Sequence, residues 1–153
     1  MGAISDEQVI IKHIALDGLS DGFVIRRLEN VYRIDVDGRY EHKIHRLYSL
    51  QNQRHEAFLE IMEDNHSNLF KEALLASKKH ELIVKLYIDE TEEQEDIIGF
   101  VKAVDDNEAI ISRISDDGSY DGESVLYLND IIKLDCGRRG EIIRQLLHRE
   151  EDK

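Results

Sequence analysis

Residues 9–22 read VIIKHIALDGLSDG, and residues 109–122 read AIISRISDDGSYDG. The two stretches align without a gap at an offset of 100. The match runs back to Met1/Val101 and forward to Leu47/Leu147, and 14 of those 47 pairs are identical. Others keep their type, as in Ile4/Val104, Ile25/Val125, Val31/Ile131 and Ile34/Leu134. A shared apolar phase over that length exceeds what composition supplies, so the chain carries two copies of one structural unit.

The second copy is the fuller one. Upstream of it, Ser67 is placed to cap a helix with apolar Leu69, Phe70, Ala73 and Leu74. Alternation of Leu82, Val84, Leu86 and Ile88 predicts a strand. Ile97–Val104 is a second strand, with Gly99 at a bend, and Ala109–Ile114 a third. Strands over Ser124–Ile132 and Lys133–Cys136 follow, then a short helix over 137–148. Helix, five short strands, helix is the pattern of a small bent barrel.

The first copy starts inside its second strand. It keeps a third strand (Gln8–Leu16), a fourth (Gly22–Leu28), a fifth (Asn30–Val36) and a helix over Arg39–Leu50. The organisation read from this is an incomplete repeat at 1–50, a connector at 51–66 and a complete repeat at 67–153. Phe58, Leu59, Ile61 and Met62 make the connector helical near its middle, with a break at Asn65. The fold class is α+β, mainly β: tandem barrel units joined by helices.

Composition narrows the function. The 153 residues include 20 Lys plus Arg and 33 Asp plus Glu, for a net charge of −13. Such a charge repels a phosphate backbone overall. Residues 51–153 hold most of the excess, whereas Arg26, Arg27, Arg33, Arg39, Lys43 and Arg46 gather in the first copy. Those six form either a face for RNA or a face for an acidic protein surface, and the overall charge favours the second. Cys136 is the one cysteine, which excludes a disulfide framework and fits a buried thiol in a cytoplasmic protein. No apolar run reaches the length of a membrane span. MGAISD fits the loose myristoylation pattern at Gly2, but it also reads as a strand end.

Gly99-Phe100-Val101-Lys102-Ala103-Val104-Asp105 followed by Ile110-Ile111 resembles the first Sm motif. Val125-Leu126-Tyr127-Leu128-Asn129-Asp130-Ile131 looks like the apolar strand that closes an Sm-like, SH3-like barrel. With its tandem units, the chain resembles small two-unit Sm-like proteins of Gram-positive bacteria, a group of unknown function. The resemblance implies RNA binding, yet two RNA-contacting signatures are missing. Ala109 and Val9 stand where the family places a base-contacting Asn, and Asp121-Gly122-Glu123 replaces the Arg-Gly pair.

Asp17-Gly18-x-x-Asp21-Gly22 recurs as Asp117-Gly118-x-x-Asp121-Gly122. Two carboxylates on one loop suit a cation, but in a chain without proline Asp-Gly pairs are first of all turn formers. Asp35-Val36-Asp37-Gly38 lacks the later acidic positions of a calcium loop. His42 and His45 share a helix face next to Glu41, with His55 and His66 further on, and no spacing fixes a third metal ligand. No catalytic motif and no cofactor motif is present. The reading is a non-enzymatic interaction or regulatory module that self-associates as a homodimer through its incomplete first repeat. The alternative is an Sm-like RNA-binding protein using the first-copy arginines. Missing strands would leave Ile10, Ile14, Phe23 and Ile25 without a cover; three covers are open, the connector 51–66 folding back with Phe58, Leu59 and Met62, the second unit packing within the chain, and a second chain, of which the dimer is the one favoured.

Overall fold

The computed structural model describes residues 2–59, 68–91 and 93–151. In chain order these form β1 (Ala3–Ile4), β2 (Gln8–Ile14), β3 (Ser20–Arg27), a 3-10 turn at Leu28–Asn30 and α1 (Arg39–Leu50). Then come α2 (Leu69–Lys79), β4 (Ile83–Tyr87), β5 (Ile97–Val104), β6 (Glu108–Ile114) and β7 (Tyr120–Tyr127). A 3-10 turn at Leu128–Asp130, β8 (Lys133–Cys136) and α3 (Arg139–Glu151) complete the chain. The 100-residue offset is carried into three dimensions. β2 and β6 coincide in it, as do β3 and β7, the two 3-10 turns, and the starts of α1 and α3.

The fold is α+β, mostly β, with all eight strands in one antiparallel sheet ordered β1-β2-β3-β8-β4-β5-β6-β7. The two copies therefore share a sheet. β8 of the second copy sits between β3 of the first and β4, pairing Phe23 with Cys136 and Ile25 with Leu134 on one side. On its other side Val84 pairs with Cys136 and Leu86 with Leu134.

α2 lies over this joint. Its first-turn N–H groups are met by the Asn68 side chain, which accepts from Phe70 and Lys71. The Gln8 side chain accepts from the Leu69 N–H at 2.5 Å, which ties the helix to the first copy. The Asn68 cap replaces the expected Ser67, which lies outside the described residues. Leu69, Phe70, Ala73 and Leu74 are buried with Ile10, Phe23, Ile25, Val84, Leu86 and Leu134 in one core. Each large side chain so placed contributes roughly 1.5–3 kcal/mol. The expectation that Ile10, Phe23 and Ile25 wait for a second chain is thereby corrected: all three are buried, and Ile14 is half-buried. Their cover is internal. β8 and α2 supply most of it, and Phe58 stacks on Phe23 with ring centroids 4.3 Å apart.

Three further expectations change. The connector is not helical over residues 53–59, where Phe58 is instead pinned by its ring contact, and Ile61, Met62, Asn65 and His66 lie outside the described residues. Tyr120, Asp121 and Gly122 belong to β7 rather than to the turn before it, because Ile114 pairs with Tyr120 across a bulge. The predicted first-copy strand over Asn30–Val36 does not form: residues 31–36 are exposed and without regular structure. Its counterpart β8 is a strand because it has a neighbour on each side, whereas no strand among the described residues pairs with residues 31–36.

The turn glycines have the conformation the sequence reading asked for. Gly18 and Gly118 lie at φ 82° and 88°. A Cβ on Gly118 would also collide with Leu147 and the His148 backbone, and one on Gly18 with Leu47. Gly118→Val is therefore expected to destabilise by about 1–3 kcal/mol or more, and Asp117→Asn by much less, since Asn tolerates the turn. Urea unfolding midpoints of the two variants check this.

Candidate functional site

The joint between the copies is held by charge as well as by strand pairing. Two aspartates of the first-copy turn motif reach the start of α3. Asp21 accepts from the Arg139 backbone N–H at 2.8 Å and from Arg138 Nε at 3.1 Å, and it faces His13 Nδ1 at 3.0 Å. Asp17 accepts from Arg139 Nη1 at 3.2 and 3.1 Å. An aspartate of one copy thus caps a helix of the other, where the helix dipole favours a negative group.

Beside it, buried Asp135 on β8 accepts from Arg26 Nη1 at 3.0 Å and from Arg138 Nη1 at 3.2 Å. Arg27 Nη2 donates to the carbonyls of Ile131 and Asn129 at 2.7 and 2.8 Å. Gly22, at φ 68°, leaves room for the Cys136 carbonyl and Gly137, which a Cβ there would strike. Burial works to raise the Asp21 carboxyl. The Arg139 amide, the Arg138 guanidinium and His13 outweigh it, so the group sits below the ordinary carboxylate value.

The six basic residues named from sequence therefore divide. Arg26 and Arg27 are half-buried in the joint and occupied by Asp135 and backbone carbonyls. Arg33, Arg39, Lys43 and Arg46 are exposed, with Arg33 paired to Asp35 at 2.8 Å. Arg39, Lys43 and Arg46 fall at i, i+4 and i+7 on α1, so they share one helix face. What sequence reasoning missed is the second use of the turn motif. The signal was present, since Asp17, Asp21 and Arg139 all recur at the offset of 100, but which copy they would bind was not readable.

The second-copy motif makes no such contact. Asp117 accepts from Ser115 Oγ, from Ser119 Oγ and from the Ser119 N–H, and these bonds hold its carboxyl at about 2. Asp121, Glu123, Val125 and Tyr127 are exposed along β7, the last strand of the sheet. Its outer backbone groups are an open edge of the kind that recruits another strand. A groove of about 1080 Å³ runs beside it, lined in part by Lys85, Tyr87, Asp96, Arg113, Val125 and Arg144.

The other candidates are placed as follows. His42 and His45 are exposed on α1, whereas His55 lies between Tyr48 Oη and the His13 carbonyl, at 3.0 and 2.8 Å. Among the described residues no three His, Cys, Asp or Glu side chains gather as metal ligands. Cys136 is buried in the joint, and burial pushes its thiol up to about 12, far from a reactive thiolate. No described helix is long and apolar enough to cross a membrane. Comparison with family models, with curated proteins and with solved structures finds no match.

The joint has a pH signature. The lowered value of Asp21 means that its contribution to stability is present above pH 3.8, its ordinary value, and is lost as pH falls through the folded-state value. Asp21→Asn should lower the melting temperature at pH 7. The gap from wild type should close below pH 3.8. Melting curves of both proteins from pH 7 to pH 2 test it; a gap that stays constant would contradict the assignment.

Proposed function

We propose that the protein is a non-enzymatic interaction module that self-associates, built from one complete and one incomplete Sm-like unit. The observation that carries this reading is an exposed pairing edge together with an exposed apolar segment in the same chain. β7 presents Tyr120, Val125 and Tyr127 to solvent, and residues 31–36 present Tyr32, Ile34 and Val36. An unpaired apolar edge of this kind is an aggregation hazard unless a partner covers it. The barrel reading is supported by the contiguous order β8-β4-β5-β6-β7, five strands from the second copy alone, with a 3-10 turn between β7 and β8.

RNA binding through the first-copy arginines is the competing reading. It is weakened because Arg26 and Arg27 are spent on the joint. It is left with the α1 face of Arg39, Lys43 and Arg46 in a chain of net charge −13. Light scattering over a wide concentration range is expected to give a mass above the 17.8 kDa of one chain. Single-stranded RNA is expected to bind weakly and without sequence preference at physiological salt. A monomer at every concentration overturns self-association. Submicromolar RNA binding that collapses on Arg39→Glu plus Lys43→Glu promotes the RNA reading.

A further inference from the structure

We propose that copies of this chain join by repeating the internal joint: residues 33–36 and the start of α1 of one chain seat on β7 and the Asp117–Gly122 motif of the next. The proposal rests on the self-association reading and names the surfaces that carry it out.

The internal joint pairs β3 with β8 and clamps Asp17 and Asp21 onto the start of α3. Each of these four pieces has a copy 100 residues away that makes no joint of its own among the described residues, Asp117 being bonded within its turn to Ser115 and Ser119. β7 is the copy of β3, and its outer edge has no strand beside it among the described residues. Residues 33–36 are the copy of β8. Asp117 and Asp121 are the copies of Asp17 and Asp21, and Arg39 is the copy of Arg139. Arg39 is exposed at the first position of α1, and no hydrogen bond or ion pair of its guanidinium or of the Asp121 carboxylate occurs among the described residues.

The segment is also preshaped. Val31 N–H bonds to the Leu28 carbonyl at 3.0 Å, as Ile131 N–H bonds to that of Leu128 at 3.2 Å. Asp37 holds φ 59°, although it is not a glycine, and Gly137 at the matching position holds φ 63°. The left-handed bend that stands between β8 and α3 thus also stands between residue 36 and α1. Gly122 keeps its positive φ of 82°, with only the Arg113 side chain near the place of a Cβ; at Gly22 that room admits residues 136 and 137.

Shifting the β3·β8 register by the offset predicts the new pairs. Val36 would face Glu123, Asp35 Ser124, Ile34 Val125 and Arg33 Leu126. Ile34 is 78% exposed and Val125 64% exposed in the single chain, so this pair removes apolar surface from water on both sides. Charge agrees as well. Arg39, Lys43 and Arg46 belong to residues 1–50, with 7 basic and 8 acidic residues, and they would approach Asp116, Asp117 and Asp121 in residues 51–153, with 13 basic and 25 acidic. The copy is weaker than the original. Gly38 stands in place of Arg138 and Leu126 in place of Arg26, so three ionic contacts of the internal joint, Arg26–Asp135, Arg138–Asp21 and Arg138–Asp135, have no counterpart. The contact is heterologous, and it closes when each chain in a set both gives and receives a segment; the smallest such set is two chains.

The test uses the full chain. One sample carries Ile34→Cys, and a second, distinguishable by a size tag, carries Val125→Cys. Mixed under mild oxidation, they are expected to give the mixed disulfide between the two chains, while Ile34→Cys mixed with Tyr120→Cys gives none. Arg39→Asp is expected to weaken self-association about tenfold or more. Adding Asp117→Arg plus Asp121→Arg to the Arg39→Asp chain is expected to restore it, which a merely structural loss would not allow. Circular dichroism checks that each variant stays folded. Self-association without the mixed disulfide or the rescue overturns this joint and leaves the proposed function standing. A chain that stays monomeric at all concentrations overturns both.

Discussion

The antiparallel pairing of β3 with β8 is the contact on which the rest of the molecule depends. Without it the sheet divides into a three-stranded first piece and a five-stranded second one. It places Ile25 beside Leu134 and Phe23 beside Cys136, all buried under α2. Pairing alone would leave the ends of these short strands loose. The carboxylates of Asp21 and Asp135 fix them, one against the start of α3 and the other between Arg26 and Arg138. Buried ionic groups add little net stability compared with apolar ones, but they penalise a shifted register heavily, because a slip by one residue strands a charge. The apolar contacts hold the two copies together, and the ionic network selects the register.

That division explains what was legible in the sequence. Local elements were readable because their signals are local. Ile97–Val104, Lys133–Cys136 and Arg39–Leu50 are read from the sequence with the bounds they have in the fold. The duplication was readable because it is a property of the string itself. The turn glycines were readable because only a few residue types accept positive φ. The joint was not readable. Nothing in Asp21 says that its partner is 118 residues away, nor that β8, paired with β4 of its own copy, also pairs with β3 of the other.

The first-copy segment 31–36 shows the limit in a sharper form. Val31, Ile34, Asp35 and Val36 have the same alternation as Ile131, Leu134, Asp135 and Cys136, and by local propensity both segments are strands. One is a central strand, and the other has no sheet hydrogen bonds. The difference lies in neighbours. β8 has β3 and β4 on its two sides, and no strand among the described residues lies beside residues 31–36. Strand propensity describes how well a residue fits a pleated surface once a neighbour is present, so it carries no information on whether a neighbour exists.

The same argument bears on the basic residues. From sequence, six positive side chains in one copy looked like a single surface. The structure assigns Arg26 to β8 and Arg27 to the carbonyls of Asn129 and Ile131 just before it, and leaves Arg39, Lys43 and Arg46 on the open face of α1. Their roles differ because the two sides of the first copy differ: one is already joined to the second copy, and the other ends at an unpaired segment. In a duplicated chain the residues that link the copies exist twice, and one set is always used before the other. The identities retained between joint positions and their copies are Asp17/Asp117, Asp21/Asp121, Gly22/Gly122, Asp35/Asp135 and Arg39/Arg139. Turn geometry accounts for aspartate beside glycine at both turns. It does not account for Arg39, an exposed arginine at the first position of a helix, where a positive side chain opposes the helix dipole. Arg139 sits at the same unfavourable position in α3, and there the Asp17 carboxylate offsets it.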